Sequence, residues 1–482
     1  MKTIVKLLLI FTVVFFTYRI SAQWGTDVRL TNDPGSSYLS EDRSIAASGN
    51  FIHVVWQEHR HGDPEIYYKR STNRGVSWES DVRITNAADY SGAPCIGIYQ
   101  SFVHIIWVDQ RAGAGEIYYR RSTNNGATWE NEIILSSDPN SSFYPSAYIS
   151  GSGIVVTWED NRDGNWEIYS KRSVNSGSNW SADLRLTNDT ASQKESSASV
   201  SGSNIHVVWK DSRHGQDEIY YRNSTNFGVS WQPEVRLTND VNISSTPCVE
   251  TTGQTVCVFW RDNRDGNAEI YFKKSTDNGN TFETDLRLTN AANNSILPSA
   301  AIVGQFYAVV WVDLRTNYYK NYYKFSTDGG LNWSNDLLIS PVSNTGSTGN
   351  PSLIYSDTAL HVCWNDNRDG NEEVYYKKNA LSVPVGIVSA NNEIPLNYSL
   401  TQNYPNPFNP ITNIEFSIPN AGITKLVIYD ALGREVETLV NSELNPGTYS
   451  AVWDASKYNS GVYFYRLTTG NFTETKKMIL VK

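Results

Sequence analysis

Tryptophans recur at Trp56, Trp107, Trp158, Trp209, Trp260, Trp311 and Trp364, with a spacing of 51 residues five times and then 53. A period of this size is that of a propeller blade or a solenoid unit, in which each copy hides its apolar surface against the next. The units share an internal order. In the first, a short strand over 44–47 passes through Ser48-Gly49-Asn50 into a stronger strand over 51–56. A charged loop follows, then a strand over 65–69, a turn ending at Trp78 and a strand over 81–85. In the second strand Val54 and Trp56 alternate with His53 and Val55, so neither face is strongly polar. A sheet apolar on both faces has to be covered on both, and radially packed neighbours do that. The 32 glycines, 29 tyrosines and 15 tryptophans favour strands and tight turns over helices.

The two ends of the repeat are complementary. The last unit stops after its third strand, 373–377, whereas the chain after residue 23 begins Trp24-Gly25-Thr26-Asp27-Val28-Arg29-Leu30-Thr31, the sequence of a fourth strand. An open solenoid would want atypical capping repeats instead. The expectation is an all-β chain: a seven-bladed β-propeller over 23–380, closed by its N-terminal strand, then a linker over 381–398 and a small immunoglobulin-like β-sandwich over 399–482.

Residues 1–22 read as a cleaved secretory signal: Lys2 and Lys6 precede an apolar run over 7–16, and Ser21-Ala22 supply small residues. That run is shorter than the roughly 20 residues of a spanning helix, and no later segment is apolar for long enough, so the mature chain is expected to have no transmembrane segment. A net charge of -10 without dense Lys/Arg patches disfavours nucleic acid as a partner. Of Cys95, Cys248, Cys257 and Cys363, none has metal-ligand spacing. Cys248 and Cys257 flank a turn at Thr252-Gly253 and are either two buried thiols or a cross-hairpin disulfide. No cofactor or metal is expected.

Between the third and fourth strands lies Ser-x-Asn/Asp-x-Gly-x-x-Trp/Phe, six times over. Its Asn73, Asn124, Asn175, Asn226, Asp277 and Asp328 can accept backbone N–H groups within the turn. Its glycine permits a positive φ, and its aromatic packs the turn on the blade. Residues 326–333, Ser-Thr-Asp-Gly-Gly-Leu-Asn-Trp, match the Asp-box in full, so the region from 24 to 380 resembles the sialidase (neuraminidase) superfamily. The resemblance implies a propeller in which these turns are structural and lie away from any active site. Sialidases typically have six blades, one fewer than expected here.

The opposite face carries the loops between the second and third strands. An acid follows each repeat tryptophan by two residues and an arginine by four, giving Asp109 with Arg111, Asp160 with Arg162, Asp211 with Arg213, Asp262 with Arg264 and Asp366 with Arg368, besides Glu58 with Arg60 and Asp313 with Arg315. These pairs either fix the hairpin by charge-assisted hydrogen bonds or form several equivalent ligand sites, which with exposed aromatics such as Trp166 or Tyr144 would suit multivalent glycan binding. An enzyme instead needs one pocket of unlike residues. Arg43 breaks the repeat, standing where other units have Pro94, Pro145, Ser196, Pro247, Pro298 and Pro351. The superfamily resemblance makes Arg43 a candidate carboxylate-binding arginine, with Asp42 or Glu41 as its acidic partner, although the Arg-Ile-Pro context of sialidases is absent. His53, His104, His206 and His361 recur three residues before the tryptophan and read as packed neutral imidazoles.

The tail carries Gln402-Asn403-Tyr404-Pro405-Asn406-Pro407-Phe408-Asn409-Pro410, Trp453-Asp454-Ala455, Gly461-Val462-Tyr463 and a terminal 476–482 run. On these residues it resembles the C-terminal sorting domain of type IX secretion substrates of the Bacteroidetes. That resemblance implies the secretion machinery as a partner through 399–482, with release or attachment at the cell surface. The function expected is a secreted or surface non-catalytic module for glycans or cell-surface polymers. The alternative is an exo-sialidase-like glycoside hydrolase with its site at the channel mouth.

Overall fold

The computed structural model describes residues 24–40, 43–136, 138–341, 346–356, 359–380, 388–391, 395, 397–420, 422–444, 447–455 and 457–481. The expected signal segment and the Glu41-Asp42 pair lie outside them.

Among the described residues the repeat region forms seven antiparallel sheets, numbered here by their second strands: Phe51–Glu58, Phe102–Asp109, Gly153–Asp160, Asn204–Asp211, Thr255–Asp262, Phe306–Asp313 and Ala359–Asp366. Each sheet has a long inner strand, two central strands and a two-residue outer strand; in sheet 1 the inner strand is in two pieces, Ser37–Tyr38 and Ile45–Ser48. The outer strand of sheet 7 is Val28–Arg29, whose residues face Tyr376 and Tyr375, and Trp24 bridges to Asn379. The chain's beginning therefore completes its last repeat. Asp27 ties this joint to Arg368 and Lys377, each at 2.7 Å.

Side-chain alternation in the second strands builds the packing between sheets. In sheet 1, Val54 and Trp56 join Cys363, Val374 and Tyr376 of sheet 7 in one core. Val55, one residue along, joins Ile105 and Trp107 of sheet 2 in the next core. The period-2 geometry of a strand thus serves two interfaces at once. All seven repeat tryptophans are fully buried.

None of the four cysteines forms a disulfide. The register places Cys248 opposite Phe259 and Cys257 opposite Glu250, so the two thiols are not cross-strand partners.

Among the described residues the tail forms two further four-stranded sheets. One runs Val388–Asn391, Gly447–Asp454, Ile411–Ile418, Ser399–Leu400, and the other Glu435–Leu444, Gly422–Asp430, Gly461–Thr469, Phe472–Leu480. Phe416, Leu426, Trp453, Tyr465 and Met478 meet in their shared core. The stretch expected as linker contributes the strand Val388–Asn391 to this unit.

Candidate functional site

The Asp-box turns are closed by their own side chains. In the first copy, Ser71 Oγ accepts the Gly75 N–H at 2.8 Å and Asn73 Oδ1 accepts the Ser77 N–H at 2.8 Å. Asn124, Asn175, Asn226, Asp277 and Asp328 repeat that acceptor role. The turn also latches one sheet to its neighbour. Trp78 packs edge-on to Tyr376 with centroids 5.0 Å apart, and Tyr376 shares a 2.7 Å hydrogen bond with His361. The same histidine–tyrosine pair recurs at His53/Tyr68, His104/Tyr119 and His206/Tyr221. Burial pushes His53, His104 and His361 down to about 3 and His206 to about 4, so all four imidazoles are neutral at physiological pH.

The acid–arginine loops are equally self-contained. Asp160 is buried and accepts the Trp158 indole N–H at 2.8 Å, the Ser142 hydroxyl at 3.0 Å and the Arg162 guanidinium at 2.6 and 2.8 Å. Arg162 lies 4.4 Å over the Tyr169 ring and also reaches Asp183 at 2.9 Å. Burial alone would raise the Asp160 carboxyl, but the Arg162 and Trp158 hydrogen bonds outweigh it and hold it below the ordinary value. Asp109/Arg111, Asp211/Arg213, Asp262/Arg264 and Asp366/Arg368 repeat this arrangement, each arginine over a tyrosine of the third strand. In these pairs the carboxylates and most guanidinium N–H groups are taken up by partners in the loops and adjoining strands.

What is not repeated lies at the axis. A cavity of about 400 Å³ opens there, lined by Arg43, Tyr144, Glu159, Lys194, Glu195 and Lys210 together with residues of sheets 5, 6 and 7. The inner strands of six sheets carry a β-bulge near the cavity's end of the axis: the register shifts between Phe143 and Ser146, between Lys194 and Ser197, and likewise in sheets 2, 5, 6 and 7, and those of sheets 3, 4, 5 and 6 bring Tyr144, Glu195, Thr246 and Leu297 into the lining. The bulged residues are non-glycine with positive φ: Ala93 at 48°, Tyr144 at 49°, Glu195 at 55°, Thr246 at 48°, Leu297 at 54° and Asn350 at 43°. Such conformations are costly for bulky or branched residues and commonly re-aim a side chain near a site. The backbone device is common to six sheets, yet its residue is different in each.

Two carboxylates belong to this lining. Glu159 is almost fully buried and accepts the Glu195 N–H at 2.7 Å. Burial pushes its carboxyl up to about 7. Glu195 is ion-paired with Lys210 and accepts the Thr246 N–H at 2.8 Å. Sequence reasoning missed Glu159, Glu195 and Lys210, because it looked for an arginine and for departures from proline. Their signal was available one residue earlier than Arg43's place in the repeat and one residue after the tryptophan, two places where the copies differ widely.

Arg43 does reach the axis. Its guanidinium lies 2.8 Å from Glu250 of sheet 5, 3.4 Å from the Ala198 carbonyl of sheet 4 and 4.5 Å over the Tyr148 ring of sheet 3. It bounds both the polar cavity above and an apolar one of about 300 Å³ below, lined by Ile45, Ile96, Ile149 and Leu353. Arg43 is the only arginine in the lining of either cavity among the described residues, so no arginine triad converges there. Among them, too, no cluster of three or more His, Cys, Asp or Glu could hold a metal, and no helix is long and apolar enough to cross a membrane.

Residues 402–482 match the family of secretion system C-terminal sorting domains. No curated protein sequence matches the chain. Among solved structures, the polysaccharide lyase Uly1 superposes with a TM-score of 0.51 at 9% identity, over 74% of this chain and 100% of that one. A mutant of Trypanosoma rangeli sialidase displaying trans-sialidase activity gives 0.44 at 12% identity, over 94% and 88%. A subtype N10 neuraminidase-like protein of a little yellow-shouldered bat influenza virus gives 0.42 at 10%, over 61% and 95%. At these identities the first likeness is one of fold. The chain is a propeller-like β protein ending in a type IX secretion C-terminal sorting domain, the tail that directs passage across the outer membrane.

Proposed function

We propose that the mature chain is a seven-bladed β-propeller closed by its N-terminal strand, carried to the cell surface or medium by an immunoglobulin-like sorting tail, and that it binds glycans without turning them over. The observation behind this reading is the contrast between the two parts of one face. The acid–arginine loops are repeated and internally satisfied, whereas Tyr144, Glu159, Lys194, Glu195 and Lys210 give the axial cavity an asymmetric set of hydrogen-bonding and aromatic groups. Concave recesses with a few polar groups of this kind are the usual form of a ligand site. In this reading Asp109/Arg111, Asp160/Arg162, Asp211/Arg213, Asp262/Arg264 and Asp366/Arg368 are architectural, and the proposed domain limits are 1–22, 23–380 and 399–482, with Val388–Asn391 of the join paired to the tail.

One observation favours a second reading, a glycoside hydrolase. A carboxyl raised to about 7 beside another carboxylate is the pairing that lets one side chain donate a proton while its neighbour stays charged. In that reading Glu159 is the acid, and Arg43 is a structural cross-channel residue rather than the carboxylate clamp. Glu195 is engaged by Lys210 and the Thr246 N–H, which favours binding over turnover.

The test uses the secreted full chain on a glycan array, alongside turnover of a fluorogenic sialoside and of polysaccharide substrates. Glycan retention without product supports the first reading. Product formation lost in Glu159→Gln supports the second, and loss of both retention and product sinks the glycan assignment. Deleting 402–482 is expected to leave the propeller in the periplasm.

A further inference from the structure

The axial cavity reaches the seam between sheets 3 and 4, where Tyr144 and Lys194 line it. There Phe143, Tyr144 and Trp166 of sheet 3 meet Lys194 of sheet 4. Phe143 and Trp166 pack with centroids 5.9 Å apart, and Phe143 and Tyr144 with centroids 6.3 Å apart. Room for Phe143 is made by Gly115 of sheet 2, where a Cβ would stand 2.6 Å from the ring. These residues also depart from the repeat. The place of Trp166, eight residues after the tryptophan, is held by Pro64, Gly115, Asp217, Ala268, Tyr319 and Glu372 elsewhere.

Two groups of this cluster face the cavity or solvent. The Tyr144 side chain stands out on its positive-φ bulge with 63% of its surface exposed, although large aromatics are ordinarily half-buried or more. Lys194 lines the cavity with its ammonium 5.0 Å over the Trp166 ring. The other cations in the lining have carboxylate partners: Arg43 has Glu250 and Lys210 has Glu195. Among the described residues no carboxylate lies within ion-pair distance of Lys194. A cation braced on an indole face at a cavity edge, near enough to Glu159 to feel its charge but in ion-pair contact with no carboxylate, is suited to an anionic group. An exposed tyrosine face beside it is suited to the apolar face of a sugar ring.

We infer that the Tyr144–Lys194 seam is an outward subsite for a sugar unit bearing a carboxylate or sulfate, so that the ligand is a stretch of anionic polysaccharide running from the axial cavity over sheets 3 and 4. The ring of that unit stacks on Tyr144 and its anion meets Lys194, while Trp166 is a positioning residue that holds the ammonium. This deepens the glycan reading above and rests on it.

The experiment is affinity electrophoresis of the secreted full chain through gels containing alginate, polygalacturonate, λ-carrageenan or chondroitin sulfate, with laminarin and hydroxyethylcellulose as neutral polymers. Wild type is expected to be retarded by at least one anionic polymer, with retardation falling as salt rises. Lys194→Gln and Tyr144→Ala are each expected to weaken that binding at least tenfold with thermal midpoints unchanged. Oligomers of three or more units are expected to compete where the monomeric sugar acid does not. Trp166→Ala is expected to weaken the anionic polymer and leave any residual neutral binding unmoved, a split that mere loss of structure would not give. Binding to neutral polymers alone, equal competition by the monomer, or anionic binding unaffected by Lys194→Gln and Tyr144→Ala overturns the subsite while the glycan reading stands. Retention by no polymer, together with an empty glycan array, overturns both.

Discussion

Arg43, between the two pieces of the first sheet's inner strand, lies 2.8 Å from Glu250 on the inner strand of the fifth, across the axis on which the sheets converge. The pair ties two sheets that are not neighbours, and with Tyr148 it separates a polar cavity from an apolar one. Both side chains are largely out of water, at 22% and 10% exposure, so removing one partner leaves the other's charge poorly solvated. Glu250→Gln is expected to lower unfolding free energy by about 1–3 kcal/mol. The double variant Arg43→Met/Glu250→Gln is expected to lose less than Arg43→Met and Glu250→Gln summed, since it leaves no orphan charge. Urea denaturation of the four chains measures this coupling, and strict additivity would show that the pair contributes nothing.

The joint between the first and last repeats should be as strong as any internal one. Leu30 is buried at 2%, and its counterpart in the third sheet, Leu186, at 1%. Each N–H donates to the carbonyl of an apolar residue on the adjacent third strand, Leu30 to Val374 at 2.8 Å and Leu186 to Ile168 at 2.7 Å. Leu30→Ala and Leu186→Ala are both expected to cost about 2–4 kcal/mol, read from denaturant midpoints at constant slope. A cost near zero for Leu30→Ala alone would mean that the N-terminal strand merely leans on the ring.

Most of the scaffold was legible because its determinants are local and copied. The tryptophan period, the alternation of Val54 and Trp56 with His53 and Val55, and the match of 24–31 to other fourth strands each stand in the linear sequence. The site was less legible. That Arg43 meets Glu250, 207 residues away, depends on how far seven sheets turn around an axis, and no spacing encodes it. The bulge that lifts Tyr144, Glu195 and Thr246 to the rim is set by backbone geometry that carries no glycine signal, since its positive-φ residues are alanine, tyrosine, glutamate, threonine, leucine and asparagine.

Two glycines separate conformational strain from crowding. Gly62 and Gly75 both have positive φ, at 95° and 79°. A Cβ on Gly62 would meet nothing within 4 Å, whereas one on Gly75 would stand 2.3 Å from the Tyr376 hydroxyl of the neighbouring sheet. Gly62→Ala is expected to cost about 1–2 kcal/mol from backbone strain alone. Gly75→Ala adds about 1–3 kcal/mol for forcing the Asp-box turn off Tyr376. Thermal midpoints compare the two, and equal losses would remove the Asp-box turn from the contacts that hold sheet 1 against sheet 7.

Protonation should act on stability in two opposite senses. The histidines paired with Tyr68, Tyr119, Tyr221 and Tyr376 are held neutral by burial, at about 3 to 4 against 6.5 in the unfolded chain. Below 6.5 the unfolded chain binds more protons, so this contribution is complete above pH 6.5 and is lost as pH falls toward 3. Glu159 runs the other way. Its carboxyl sits at about 7 in the folded chain against 4.5 unfolded, so the folded chain binds the extra proton between those values. Its contribution is complete below pH 4.5 and is lost as pH rises through 7. Among the strongly displaced groups that titrate between pH 6.5 and 4, four histidines run against the one carboxyl, so acidification over that range is expected to be net destabilising in the wild-type chain. Glu159→Gln keeps an acceptor for the Glu195 N–H but cannot ionise, so its thermal midpoint should match wild type near pH 5 and exceed it near pH 8. Scanning calorimetry at the two pH values decides the matter: a difference that does not change with pH would mean that Glu159 is solvated and charged in the folded protein, and the acid role for it would fall with that result.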